Sequence, residues 1–310
     1  MPLHNSEIPT PLIGISIPLF DRHKITVSVK RDDLNHPFIQ GNKWHKLKLN
    51  LAQAKQDGKD TIMTFGGAYS NHIAATAFAA HEQGFKCIAF IRGDELAGQP
   101  NRWSSTLKTA AKNGMQLRFL SRQAYREKDS ALFLEKLHTQ FNNTYLLPEG
   151  GSNPLAVSGF ESLMRDIEIQ QPNWTHLYTA VGTGATLAGL VKYAKHKPKR
   201  CINGVAVLKQ AHYLLPQIEQ WIGPFAHTPW HLLTGYHGGG YGKVSAELNA
   251  FKHRFEQQFN IPLDPVYTLK MVHAFYQALQ LGQIKAGSNI ILLHTGGLQG
   301  NAHTPIKLGT

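Results

Sequence analysis

The stretch HLYTAVGTGATLAGLVKYAK, residues 176–195, reads as a strand, a glycine turn and a helix in immediate succession. His176–Val181 is a short apolar run with β-branched and aromatic residues, as a buried strand requires. Gly182-Thr183-Gly184 interrupts it, and Ala185–Lys195 then carries apolar residues at helical spacing. A strand that feeds a helix through so short a turn is half of a parallel βαβ crossover.

The same rhythm extends in both directions. Strands are expected at 25–29, 61–65, 86–91, 116–120, 144–147, 202–207 and 289–294. Helices are expected at 44–56, 71–83, 101–113, 130–138, 155–169, 244–258 and 269–281. The alternation predicts an α/β protein with mainly parallel sheets. Its 310 residues suggest two domains, yet no Gly/Ser linker marks a boundary.

Composition narrows the function classes. The net charge is +12, but the Lys and Arg residues are dispersed and no basic run is interleaved with aromatics. This suits a solvated surface and anionic small ligands better than nucleic acid. No apolar run reaches about 18 residues, the length of a membrane span, and Met1–Pro11 lacks the apolar core of a secretory signal. The 17 histidines contain no H-E-x-x-H spacing, and no metal site is expected. Cys87 and Cys201 both fall in apolar strand runs and read as buried free thiols, compatible with a reducing cytoplasm.

In parallel sheets ligands collect at the carboxyl ends of the strands. Three such ends carry glycine turns: Gly66-Gly67, Gly182 to Gly184 and Gly296-Gly297. Gly182-Thr183-Gly184-Ala185-Thr186 opens a helix, where backbone N–H groups favour an anion and two threonines add hydroxyls. A dinucleotide fingerprint would need glycine at position 187, which is Leu187, and the Gly-Lys-Ser/Thr of a P-loop is absent. The loop therefore suits a single phosphate. In Gly41-Asn42-Lys43, the lysine stands at the mouth of a helix, where positive potential lowers an amine's pKa and favours attack on an aldehyde. Taken alone the signal is weak, and a surface lysine beginning a helix is the commoner case. Ser70 and Asn71, after Gly66-Gly67, can cap a helix or bind a carboxylate there.

Taken together, Lys30-Arg31-Asp32-Asp33-Leu34, Gly41-Asn42-Lys43-x-x-Lys46-Leu47 and Gly66-Gly67-x-x-Ser70-Asn71-His72 resemble the fold type II pyridoxal 5′-phosphate enzymes. The resemblance is greatest to the 1-aminocyclopropane-1-carboxylate deaminase/D-cysteine desulfhydrase family. Gly182 to Thr186, Gly240-Tyr241-Gly242, Asp264-Pro265-Val266-Tyr267-Thr268 and His294-Thr295-Gly296-Gly297 follow in the family's order. The resemblance implies two three-layer α/β/α domains, with the cofactor in the cleft between them. The larger would hold residues 1–51 and 156–310, and the smaller 52–155. It also implies a homodimer and a small amino-acid substrate.

By the same resemblance, Lys43 would hold the cofactor covalently and later move a proton at the substrate α-carbon. Ser70 and Asn71 would hold the substrate carboxylate and the cofactor 3′-oxygen, with Ser70 sharing in proton transfer and His72 beside them at the substrate. Gly182, Thr183, Gly184, Ala185 and Thr186 would bind the phosphate, Thr295 the pyridine nitrogen, and Tyr267 would line the substrate pocket.

Three positions depart from the deaminase branch. His45 stands where the family usually has Arg, His72 where that branch tends to Gln, and Leu292 where it has a tyrosine proposed to help open the cyclopropane ring. These point to β-elimination from D-cysteine or a related D-amino acid rather than cyclopropane deamination. 1-Aminocyclopropane-1-carboxylate deamination, though disfavoured, and another lyase or racemase acting on a small D-amino acid are the alternatives within the same cofactor class. Among other classes, a hydrolase lacks its Gly-x-Ser-x-Gly, since Gly150-Gly151-Ser152-Asn153-Pro154 fails at the last position. A cofactor-binding regulatory protein would be expected to lose Ser70, Asn71 and Tyr267, which are all present.

Overall fold

In a computed structural model of the protein, residues 9–298 are described. Ten strands occur among them: β1 Leu12–Ile15, β2 Thr26–Lys30, β3 Thr61–Gly67, β4 Lys86–Arg92, β5 Met115–Leu120, β6 Thr144–Leu146, β7 His176–Val181, β8 Cys201–Ala206, β9 Trp230–Leu233 and β10 Asn289–Leu293. They form a six-stranded sheet in the order β1-β2-β10-β7-β8-β9 and a four-stranded sheet in the order β5-β4-β3-β6. Only the β1–β2 pair is antiparallel; every other pairing is parallel. This is the α/β class with mainly parallel sheets that the strand–helix rhythm predicts.

The large sheet is buried on both faces because its strands alternate between two cores. Tyr178 and Ala180 of β7 join Val205, Ile290 and Leu292 with Phe275 and Leu279 of the helix Thr268–Gln280. Leu177 and Val181 join Ile202, Ile291 and Leu293 with Leu187 and Leu190 of the helix Ala185–Tyr193. Each fully enclosed apolar side chain of this kind contributes roughly 1.5–3 kcal/mol. In the small sheet, Met63, Phe65, Ile88 and Phe90 pack against Tyr125 and Leu137. The alanines of the helix Asn71–Glu82 are buried as well, and their small size lets that helix lie close to its neighbours.

The chain divides into two compact units, one of residues 43–156 and the other of 9–42 with 157–298. The sequence reading placed the first boundary nine residues later. The difference lies in the helix Asn42–Gln56, whose buried Lys46 and Asn50 hydrogen-bond to Gly150, Ser152, Asn153 and Tyr145 of the 43–156 unit.

Some element ends move for identifiable reasons. The helix expected over 101–113 begins at Ser105, because the Ser104 hydroxyl accepts the Leu107 N–H at 3.2 Å and caps it there. The helix expected over 155–169 is two helices, Pro154–Ser158 and Glu161–Gln170, interrupted around Gly159. Strands β1 and β9 are four residues each, too short for a clear apolar alternation, and the sequence reading did not identify them. Cys87 is buried, whereas Cys201, expected to be buried too, is half-buried at the start of β8; both are free thiols. No helix of the described residues is long and apolar enough to cross a membrane.

Candidate active site

In the 43–156 unit the candidate residues cluster around the first turns of two helices. Lys43 is half-buried in the first turn of the helix Asn42–Gln56. Lys46, three residues on, is buried and donates from Nζ to the Gly150 carbonyl and the Ser152 hydroxyl, both at 3.0 Å. Burial, and then the charge of Lys43, push the Lys46 ammonium well below the usual lysine range.

Strand β3 ends at Gly66-Gly67 and turns directly into the helix Asn71–Glu82. Glycine is needed at 66, where a Cβ would lie 2.5 Å from Ile73 Cγ1. Ser70 occupies the N-cap, yet its side chain makes no capping hydrogen bond. The serines at 104, 121, 130 and 245 also hold N-caps, and each of those accepts from the backbone N–H three residues on. Ser70 therefore stands at a helix N-terminus with its hydroxyl uncommitted to its own helix. Asn71, at the first helical position, is 9% exposed.

His72 is buried. The ring is 2% exposed, 2.8 Å from the Thr64 hydroxyl through Nε2 and 3.3 Å from the Thr76 hydroxyl through Nδ1. It also lies against Gly151, where a Cβ would fall 2.9 Å from His72 Cε1. Burial, followed by the charges of Lys46 and Lys43, holds His72 well below the usual histidine range, so the ring is neutral. The arrangement packs His72 against the Gly150–Ser152 turn. His45, left undecided by the sequence, is likewise buried, 6% exposed, on the helix Asn42–Gln56.

The second unit carries the remaining candidates. Strand β7 runs through Gly182 and Thr183 to Gly184, which caps the helix Ala185–Tyr193 with φ +91° and supplies no side-chain acceptor. A Cβ on Gly184 would lie 2.6 Å from Ile218 Cγ1, so this turn admits only glycine. Gly184 itself supplies no cap to the first-turn N–H groups. The buried Thr186 hydroxyl accepts from Asn42 Nδ2 at 3.0 Å.

Tyr267 is set by a tight turn. Asp264 Oδ1 accepts the N–H groups of Val266 and Tyr267 at 3.1 and 2.5 Å, and the Thr268 hydroxyl accepts the Asp264 N–H at 2.7 Å. The Tyr267 ring covers Gly182, where a Cβ would come within 3.2 Å of Tyr267 Cε1.

Thr295 follows β10 and is 5% exposed. Its carbonyl accepts the Asn42 N–H at 3.2 Å, and Gly41 lies so close that any Cβ there would overlap that carbonyl. Asn35 brackets Gly41, donating to its carbonyl at 3.0 Å and accepting its N–H at 2.8 Å. Beside Thr295, His294 bonds through Nε2 to the Pro262 carbonyl at 2.7 Å and accepts the Gly296 N–H at Nδ1.

Within this unit, then, Asn42, Thr186, Thr295 and Gly41 are tied together, and Tyr267 meets Gly182. Asn42, Asp264 and His294 are not candidates from the sequence alone, although each lies adjacent to or three residues from one.

Residues 3–296 match the family model described as pyridoxal-phosphate dependent enzyme. A protein of Thermotoga maritima named putative 1-aminocyclopropane-1-carboxylate deaminase is 27% identical over 307 residues, 94% of this chain and 95% of that protein. A D-cysteine desulfhydrase of Serratia proteamaculans is 28% identical, with 92% of each chain covered. A crystal structure described as an ACC deaminase homologue superposes with a TM-score of 0.81 at 25% identity, covering 97% of this chain and 93% of the other.

Proposed function

This chain belongs to the pyridoxal-phosphate dependent enzyme family, and from that premise we propose that it eliminates the β-substituent of a small D-amino acid, with D-cysteine as the substrate. D-cysteine and water would yield pyruvate, ammonia and hydrogen sulfide.

The residues present fit the cofactor. Gly182 to Thr186 offer a helix N-terminus without a side-chain cap, suited to its phosphate. Lys43 would hold it through the ε-amine, and Thr295 would face its pyridine nitrogen. When bound, pyridoxal phosphate supplies a conjugated ring into which the electrons of an α-carbanion spread. Everything else falls to the chain. Lys43 would take the proton from the substrate α-carbon, Ser70 and Asn71 would hold the carboxylate, and Tyr267 would close one side of the substrate. A neutral threonine at the pyridine nitrogen, unlike a carboxylate, need not keep that nitrogen protonated. The weaker electron sink favours early loss of a β-leaving group over longer-lived carbanion chemistry.

The observation that carries the reading is the uncommitted Ser70 hydroxyl at the N-terminus of the helix Asn71–Glu82, where a carboxylate is favoured by the N–H groups and the helix dipole. Leu292 argues against cyclopropane opening, since it is fully buried within the core of the large sheet and brings no phenol. The similarity to a protein named D-cysteine desulfhydrase agrees with this choice. By analogy with the family the enzyme would act as a homodimer in the cytoplasm; analytical ultracentrifugation measures the assembly.

The test is the absorbance spectrum of the purified protein, followed by sulfide and pyruvate assays with D-cysteine. A band at roughly 410–420 nm, absent from Lys43→Ala, is expected of a lysine-bound cofactor that carries the chemistry. Pyruvate and sulfide in equal amounts support elimination. A band without turnover of D-cysteine would sink the substrate assignment while leaving the cofactor in place.

A further inference from the structure

The helices Ala246–Phe259 and Thr268–Gln280 pack together in the unit of residues 9–42 and 157–298, and their side chains line a cavity of about 290 Å³. That volume is close to the lower end of the range of small-molecule pockets, roughly 300–1,000 Å³. Glu247, Phe251 and Arg254 follow at i, i+4 and i+7, so they share one stripe of the first helix. His273, Tyr276 and Gln277 line the cavity from the second helix. The Phe251 ring meets His273 at 5.2 Å and 77° and Tyr276 at 5.0 Å and 76°, edge to face in both cases.

Around these rings the polar groups are left without protein partners. The side chains of Glu247, Arg254, His273, Tyr276 and Gln277 make no hydrogen bond or ion pair with another protein group among the described residues. Glu247 and Arg254 are seven residues apart, about 10.5 Å along the helix axis, and their charges bracket Phe251. Burial holds the His273 ring below the usual histidine range against the opposing pull of Glu247, and pushes the Tyr276 phenol up. Near pH 7 both are neutral hydrogen-bonding groups, and Arg254 is the one cation among the lining side chains.

We propose that this cavity is a small-molecule site separate from the candidate active site, and that it takes a flat aromatic monocarboxylate, with the ring against Phe251 and Tyr276 and the carboxylate on Arg254. A planar ring gains most where it meets other rings edge to face or offset, and a carboxylate matches the guanidinium fork. A second negative charge on the ligand would face Glu247 with no cation to offset it, which selects a monoanion. None of the lining residues is a candidate for the cofactor or the substrate. His273 stands six residues after Tyr267 on the same helix, about 9 Å farther along its axis. The site therefore does not depend on the elimination reading.

The test titrates the purified protein with trans-cinnamate, a flat monocarboxylate with no amine to react with an aldehyde, and follows binding by ligand-observed saturation-transfer NMR. A Kd of about 0.1–1 mM is expected for a ligand of so few atoms. Arg254→Gln should weaken binding at least about tenfold, and the neutral trans-cinnamamide should bind wild type at least about tenfold more weakly than cinnamate. Arg254 is exposed, so its replacement should leave the fold intact, which an unchanged urea midpoint checks. Ser70→Ala, in the candidate active site, should leave the cinnamate Kd within about twofold of wild type. No binding up to about 10 mM, an equal Kd in Arg254→Gln, or equal affinity for the amide would overturn the proposal. Binding that Ser70→Ala weakens about tenfold or more belongs to the candidate active site and overturns it as well.

Discussion

Asn42 and Thr186, 144 positions apart in the sequence, are joined by a hydrogen bond of 3.0 Å from Asn42 Nδ2 to the Thr186 hydroxyl. Thr295 also accepts the Asn42 N–H, at 3.2 Å, so Asn42 is held at both its backbone and its side chain. Replacing Asn42 by Ala removes one net hydrogen bond of about 1 kcal/mol, and with it a restraint on the Thr186 hydroxyl of the proposed phosphate loop. Cofactor affinity should fall about five- to tenfold, measured by titrating the apoprotein with pyridoxal phosphate and following the visible band. Unchanged affinity would separate Asn42 from the cofactor.

Ser70 and Ser104 provide a matched pair. Both are N-cap residues, but only Ser104 accepts the N–H of its helix. Ser104→Ala should cost about 1 kcal/mol in urea unfolding, whereas Ser70→Ala should stay within about 0.5 kcal/mol. Catalysis should show the reverse. Ser70→Ala should lower kcat/KM about a hundredfold, as expected for a group that binds carboxylate and shares in proton transfer, while Ser104→Ala should leave it near wild type. A Ser70→Ala variant that loses stability but keeps its rate would reassign Ser70 to structure.

Gly41 has φ +62°, and any Cβ there would overlap the Thr295 carbonyl. Gly41→Ala therefore meets both backbone strain and a collision with main-chain atoms that cannot rotate away. It should destabilise the protein by about 3 kcal/mol or more, read as a lower urea midpoint at unchanged m-value. A cost below about 1 kcal/mol would mean that the Thr295 segment yields easily.

His72 makes a prediction about pH. Its folded pKa lies well below the ordinary value of 6.5, chiefly through burial. As pH falls through about 6.5 the unfolded chain takes up a proton that the folded ring refuses, so stability is lost on acidification. At pH above that value the contribution is fully present. In His72→Gln the slope of unfolding free energy between roughly pH 6.5 and 5 should be shallower by up to one proton, about 1.4 kcal/mol per pH unit. Parallel slopes for the variant and wild type would contradict the burial of a neutral ring.

The legible parts of this chain were those with local causes. The apolar run 176–181, the glycine break at 182–184 and the helical spacing after it located β7, the turn and the helix Ala185–Tyr193 without any distant information. The candidate residues were named from small motifs that keep their order along the chain. The orientation of His72 was not legible for the converse reason. Its position beside Ser70 and Asn71 says nothing about which way a helical side chain points, and the hydroxyls of Thr64 and Thr76 draw the ring inward. Asn42 is not legible as a site residue because its partner lies 144 residues away.

What the sequence determined by itself was the α/β class, the parallel sheets and the glycine turns at strand ends, since apolar periodicity and backbone permissiveness act over a few residues. The tertiary structure alone decided where the helix Asn42–Gln56 belongs, that Lys46 is buried against Gly150 and Ser152, and that Tyr241 meets Tyr267. It also decided that the Ser70 hydroxyl stays out of its own helix cap. Those outcomes depend on which long-range neighbours desolvate or bond a group, and a linear sequence does not encode that balance locally.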